Sequence, residues 1–289
     1  MKIILSGSTG FIGRTLSASF SEQHWTVETL SRMDLADAGR LAEKISGADA
    51  VIHLAGAPIL KRWTRSYQQE IYSSRILTTR RLADAVRNCP KPPALFISTS
   101  ASGAVRKNTI AGESEAEKDV GFIGDLCRDW EKAALEAAGA TRVVVCRLSV
   151  VLDPAEGALH QMLWAFKLGI AGRIGTGRQL FSWIHRDDLV KAYHHIIGTG
   201  SLTGIVHLAA PGIVTNAEYS AALGRVLKRP AVIPVPVFLL RMVFGQAASV
   251  ISEGQGMVPE KLLRSGFQFR FPNLEEALRD LLAREDPFK

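Results

Sequence analysis

The chain has 289 residues, 47% hydrophobic and 22% charged, which is enough length and apolar content to bury a sizeable core. That composition excludes a disordered tail, a fibre and a disulfide miniprotein, and it fits one large domain or a pair of roughly 150 residues each. Thirty-five Lys and Arg against 28 Asp and Glu leave a net charge of +7, which raises an anionic ligand or surface. The basic residues are scattered, with no block that would mark a nucleic-acid arm.

At the N-terminus a short apolar run, Lys2 to Ser6, leads into Gly7, Ser8, Thr9, Gly10, Phe11, Ile12 and Gly13, and then into a helical pattern through Leu16 and Phe20. Strand, glycine turn and helix in that order predict a dinucleotide site. One glycine permits the tight turn, one lets backbone amides approach a pyrophosphate, and one lets the helix pack closely. The spacing is G-x-x-G-x-x-G, one residue wider than the common fingerprint. The apolar start is too short for a signal peptide. A second strand, Thr26 to Leu30, ends in Ser31-Arg32. A guanidinium there pairs with a ribose 2′-phosphate and favours NADP over NAD, while Asp34 two residues on keeps NAD open.

Leu41 to Ile45 reads as a short helix and Ala50 to Gly56 as a buried strand, with His53 a core imidazole. Tyr67 to Val86 reads as one long helix, followed by Pro90, Pro92 and Pro93. A strand from Leu95 runs into Ser98-Thr99-Ser100. A helix follows over 125–138 and a valine-rich strand over 142–151. The alternation predicts an α/β fold, a doubly wound Rossmann parallel sheet over residues 1–152. Beyond it, 159–168 and 216–227 read as helices and 205–208 as a strand. The expectation is a smaller substrate lobe over 153–289, interleaved so that residues from about 180 to 210 return strands to the sheet. Val237 to Phe244 reads as a helix that either covers the cleft or packs against another subunit in a homodimer. The apolar stretch around it is interrupted by Pro234, Pro236 and Arg241, so no membrane span is expected. Cys89, Cys127 and Cys146 form no C-x-x-C, which argues against a disulfide framework or a metal site and for reduced thiols in the cytoplasm.

These motifs resemble the extended short-chain dehydrogenase/reductases, and within them the atypical subgroup of nucleoside-diphosphate-sugar epimerases with a C-terminal extension. The resemblance covers essentially the whole chain. Besides the glycine loop it rests on Leu54-Ala55-Gly56, Arg62-Trp63-Thr64, Ser74-Arg75, Gly175 to Gln179, Trp183-Ile184-His185 with Asp187-Asp188, and the tail from Arg229-Pro230 to Leu278. It implies NADP(H) as cofactor, with Ser31 and Arg32 at the 2′-phosphate and Leu54, Ala55 and Gly56 on the adenosine side. Glu70 and Arg75 would reach the cofactor from the long helix, Val150 would approach the nicotinamide, and Ser98 and Arg147 join the cofactor set.

At the catalytic positions the match fails. Aligned on Glu131, the usual tyrosine is Ile123 and the usual lysine is Cys127; only Ser100 is retained as a catalytic candidate. Isoleucine cannot exchange a proton, and the sequence supplies no cation to activate Cys127 except Arg128, which points elsewhere on a helix. His185 and Asp187 could form an acid–base pair, but the Asp187-Asp188 pair is expected to cap a helix. Lys61 and Arg62 could hold an anionic substrate such as a diphosphate. Two functions follow: an NADP(H)-dependent oxidoreductase or epimerase acting on a small carbonyl or nucleotide sugar, or a catalytically silent NADP(H)-binding regulatory or interaction protein. Nucleic acid and membrane are not expected as partners.

Overall fold

Alternate residues of the first strand serve two separate cores, Ile3 and Leu5 on one face and Ile4 on the other. That is the signature of a sheet covered on both sides. In the computed structural model, which describes residues 1–114 and 119–284, six parallel strands build this sheet. They are β1 (Lys2–Ser6), β2 (Thr26–Leu30), β3 (Ala50–His53), β4 (Leu95–Ala101), β5 (Arg142–Leu148) and β6 (Gly204–Leu208), in the order β2-β1-β3-β4-β5-β6. The doubly wound Rossmann-type fold is therefore present, and β6 returns from the later part of the chain. The order reverses between β1 and β3, which opens a crevice at their carboxyl ends.

The first eight helices are α1 (Phe11–Glu22), α2 (Arg32–Ala36), α3 (Ala38–Ile45), α4 (Arg65–Tyr72), α5 (Thr78–Asn88), α6 (Phe122–Leu135), α7 (Gly157–Lys167) and α8 (Arg186–Gly198). Leu16 and Phe20 of α1 pack with Leu189 and Tyr193 of α8 on one sheet face; Leu41, Leu82, Val86 and Ala134 from α3, α5 and α6 fill the other. A third core, with Leu159, Trp183, Tyr219 and Leu278, is built from residues after β5, where α9 (Asn216–Leu227) starts from a reciprocal Thr215–Glu218 capping box. Trp183 is thus core, its indole N–H donating to Gly212 O at 2.8 Å.

Three expectations from sequence are corrected. The helix expected over 67–86 is unbroken but not regular, α4 passing through a π-helical turn at Ser73–Leu77 into α5. The strand over 142–151 divides at Ser149, whose N–H and hydroxyl both donate to Leu208 O at 3.1 and 2.8 Å. Val150–Leu152 then pairs with Trp183–His185 outside the main sheet. The third correction concerns α8, which is capped by His185 rather than by the aspartates: Nδ1 accepts from Asp187 N–H at 3.0 Å. Asp188 reaches across to accept from the Arg270 and Phe271 amides, which fastens the C-terminal segment, and Asp187 pairs with Arg284.

Helix α10 (Val237–Phe244) buries none of its residues. It does not roof the central cleft; that position is taken by residues of the 249–255 segment. Among the described residues no helix is long and apolar enough to cross a membrane.

Two buried imidazoles predict acid sensitivity. Burial lowers His53, bonded to Ser6 Oγ at 2.6 Å, to about 3; burial and then Arg147 lower His207 to about 4. Each would titrate near 6.5 in the unfolded chain, so below that pH the unfolded state binds more protons. Their stabilisation is full above pH 6.5 and lost as pH falls toward 4. The urea midpoint is expected to drop between pH 6.5 and 4.5, less steeply in His207→Gln; a midpoint independent of pH over that range would contradict this.

Candidate functional site

At the β1–β3 crevice the glycine loop is dictated by contact. Gly7 has φ +76°, and a Cβ there would lie 2.8 Å from the backbone of Leu54 and Ala55. A Cβ on Gly13 would overlap the Gly7 carbonyl and approach Ser8 Cα to 2.7 Å. Gly10 caps α1 without a side-chain hydrogen bond, and the first turn of α1 holds no acidic residue, which suits the helix N-terminus to an anion. Ser8 and Thr9 form the turn, with Thr9 O accepting from Arg14, while Phe11 and Ile12 are half-buried on α1. The residues present fit a dinucleotide pyrophosphate, with Leu54, Ala55 and Gly56 forming the opposite wall.

Beyond β2 the carboxylate of Asp34 is already taken. It accepts from Ser31 N–H (2.8 Å), Ser31 Oγ–H (2.6 Å) and Lys44 Nζ (2.8 Å), and these bonds, led by Lys44, hold it well below the usual carboxylate range. Ser31 is committed to this capping box through both its amide and its hydroxyl. Arg32 is exposed and makes no ion pair among the described residues. A cation, not a carboxylate, is therefore the group left at the end of β2.

Arg75 sits in the π-helical turn, a local widening that turns its side chain back toward β3. It donates to Ala57 O at 2.9 Å, lies over the Trp130 ring at 5.3 Å, and would meet a Cβ on Gly56 at 3.1 Å. Glu70, a turn earlier, is exposed and lines an open outer recess with Lys61, Arg62, Val243 and Phe244.

A cavity of about 410 Å³ continues from Gly56 and Arg75 past Ser100, Ile123 and Cys127. Arg75 is the cation near Cys127 that sequence reading missed, because only folding brings the π turn to α6. Burial still dominates: the thiol is pushed up to about 12, with Glu131 reinforcing the rise and Ser100 and Arg75 opposing it. Lys107 is neutralised by Glu253 at 3.0 Å and Asp119 at 3.6 Å. Ser100, buried at the end of β4, donates to Glu131 Oε1 at 2.9 Å. Glu131 is gripped by Arg147 at 2.7 and 2.9 Å, and Arg147 contacts His207 at 3.3 Å. Arg147 and Ser98 are accordingly withdrawn from the crevice: they are 3% and 0% exposed, and neither lines this cavity or the one adjoining it. Arg147 enters the cofactor set through the resemblance alone, and its buried partner across on α6 leaves no local mark in the sequence.

A second cavity, of about 190 Å³, adjoins the first, sharing Ser102, Val250, Glu253 and Gln255 with it. Val150 lines it. His185 and Asp187 do not: the imidazole is buried against Phe271, rings 4.0 Å apart, beneath Asp280.

Residues 3–209 match the family described as NAD dependent epimerase/dehydratase. The chain belongs to that family. Residues 235–281 match DUF1731, a domain of unknown function. The human "Epimerase family protein SDR39U1" is 35% identical, over 98% of this chain and 100% of its own length. The chloroplastic homologue from Arabidopsis thaliana is 33% identical, over 98% and 87%. The crystal structure of human SDR39U1 (isoform 2) with NADPH superposes with a TM-score of 0.91 at 33% identity, covering 98% of this chain and 99% of that one. A nucleoside-diphosphate sugar epimerase from Corynebacterium glutamicum gives 0.78 at 27%, covering 97% of this chain and 58% of its own.

The buried pair predicts an asymmetric mutational response. Arg147→Met leaves Glu131 buried and uncompensated and should cost about 3–5 kcal/mol in urea unfolding. Adding Glu131→Leu should restore more than half of it. Equal losses in the single and double variants would contradict this role.

Proposed function

We propose that this protein is an NADP(H)-dependent oxidoreductase or epimerase-type enzyme acting on a small carbonyl or alcohol. The observation that carries the reading is the second cavity opening off the cofactor crevice at the carboxyl ends of β4 and β5. A protein that used a dinucleotide only as a signal would not require that chamber. The NADPH bound to the human relative supports the cofactor assignment. So does the local chemistry, with Asp34 engaged by its own cap and Arg32 free to pair with a 2′-phosphate through its fork of donors.

In this reading the amides of the Gly7–Gly13 loop hold the pyrophosphate. Leu54, Ala55 and Gly56 line the adenosine side, Arg75 adds a cation at the third wall, and Val150 borders the nicotinamide. The cofactor supplies or accepts the hydride. Proton handling then falls to the chain and solvent. Ile123 has no exchangeable proton, Cys127 keeps its own to about pH 12, and the Ser100 proton is directed at Glu131. Ser102 carries the hydroxyl at the junction of the cavities that has no partner among the described residues, so it orients a substrate oxygen while water delivers or removes the proton. The same absence of a titrating acid favours a second reading, a cofactor-binding regulatory protein without turnover. The three cysteines, all buried and free, agree with a reducing, cytoplasmic setting.

Fluorescence titration with NADPH and NADH tests the assignment. NADPH is expected to bind more tightly, and Arg32→Ala to weaken it by about 13- to 160-fold, the range of a charged hydrogen bond at about 1.5–3 kcal/mol, with little change for NADH. Equal wild-type affinities would remove Arg32 from the 2′-phosphate. NADPH oxidation by carbonyl compounds supports the enzyme; tight binding with no oxidation across a broad carbonyl panel supports the regulatory reading.

A further inference from the structure

A nucleotide sugar brings two phosphate charges, and a site that buries them must supply cations. The second cavity supplies none among the described residues. Its walls are mainly apolar, with Val150, Met162, Leu180, Phe181 and Ile251. Its one carboxylate, Glu253, is paired with Lys107, which is thereby taken from any ligand. The polar atoms are also largely committed. Ser182 Oγ donates to Gln255 O and accepts from Met257 N–H; Asn216 Oδ1 accepts from Ile174 N–H; Gln179 donates to Ile174 O. Three neutral side chains, Ser102, Gln161 and Gln255, line the cavity without a side-chain hydrogen bond. At about 190 Å³ the chamber is smaller than the ~300–1,000 Å³ that enclose drug-sized ligands. The cations Lys61 and Arg62 lie beyond Leu60 in the open recess, with Glu70 among them.

Resting on the oxidoreductase reading above, we propose that the second cavity takes a small, uncharged, predominantly apolar ketone or aldehyde, or the corresponding alcohol, and excludes a nucleoside diphosphate. The carbonyl oxygen meets Ser102 at the cofactor junction, Gln161 and Gln255 accept or donate to a second neutral polar group, and the apolar body fills the chamber toward Met162 and Phe181. In reduction, hydride from NADPH would form the new C–H bond, the carbonyl π pair would move to oxygen, and water would supply the proton and leave to solvent as hydroxide, giving NADP⁺ and the alcohol.

The test reads binding to the NADP⁺-loaded protein, so it does not depend on turnover. Cyclohexanone, acetophenone, UDP and UDP-glucose are titrated by calorimetry at 50 and 500 mM salt. Expected is ketone binding at least tenfold tighter than UDP-glucose and insensitive to salt. It should weaken about tenfold in Ser102→Ala and disappear in the cavity-filling variant Ala158→Phe, with NADPH affinity unchanged in both. If Ala158→Phe does not fold, Met162→Trp fills the same chamber. Salt-dependent UDP-glucose binding that is lost in Lys61→Ala with Arg62→Ala would overturn the proposal. Ketone binding that survives a filled cavity, or binding of neither class, would overturn it as well. Ketone binding without NADPH oxidation keeps this inference and removes the oxidoreductase reading; NADPH formation from NADP⁺ driven by UDP-glucose does the reverse.

Discussion

The buried pair between Glu131 and Arg147 is the interaction on which the site depends. It joins helix α6 to strand β5 beneath the crevice floor, with both charges almost wholly withdrawn from water. Such a pair survives because each charge has hydrogen-bonding partners: Glu131 receives two guanidinium bonds and the Ser100 hydroxyl, and Arg147 also meets His207. The consequence is chemical as well as structural. Ser100, the one familiar catalytic residue kept in the sequence, has its proton drawn into the core.

A cation is absent from position 127 but present nearby. Arg75 approaches the same cavity from the opposite side, carried by a π-helical turn and stacked on Trp130. The desolvation that shields this guanidinium also keeps Cys127 a thiol. The floor of the site therefore holds charge in fixed, paired form. The walls of the second cavity are mainly apolar.

Much of the fold was legible because it follows from short-range rules. The glycine loop could be read from spacing alone, and the close approach of Gly7 to Leu54 and Ala55 is the reason no side chain fits there. Strand and helix alternation gave the parallel sheet. What escaped were features set by partners distant in sequence. The Ser149 kink is made by Leu208, the capping role of His185 rather than of Asp187 and Asp188 follows from Asp188 being claimed by residues 270 and 271, and the withdrawal of Arg147 requires Glu131. The second cavity is built by α7, the 174–182 segment and residues 250–255 together, so no local pattern announces it.

The central claim is that the chain holds cofactor and carbonyl but contributes no titrating acid of its own. Cys127 is pushed up to about 12, Lys107 is raised by its carboxylate partners, and neither cavity is lined by a histidine or tyrosine among the described residues. The direct measurement is the pH dependence of the single-turnover rate constant for NADPH oxidation by a carbonyl that binds the second cavity, from pH 6 to 9. The account predicts a rate constant that varies by less than about twofold across that range. A sigmoidal or bell-shaped profile with a midpoint inside it would contradict the account, since it would mean that a protein group rather than water handles the proton.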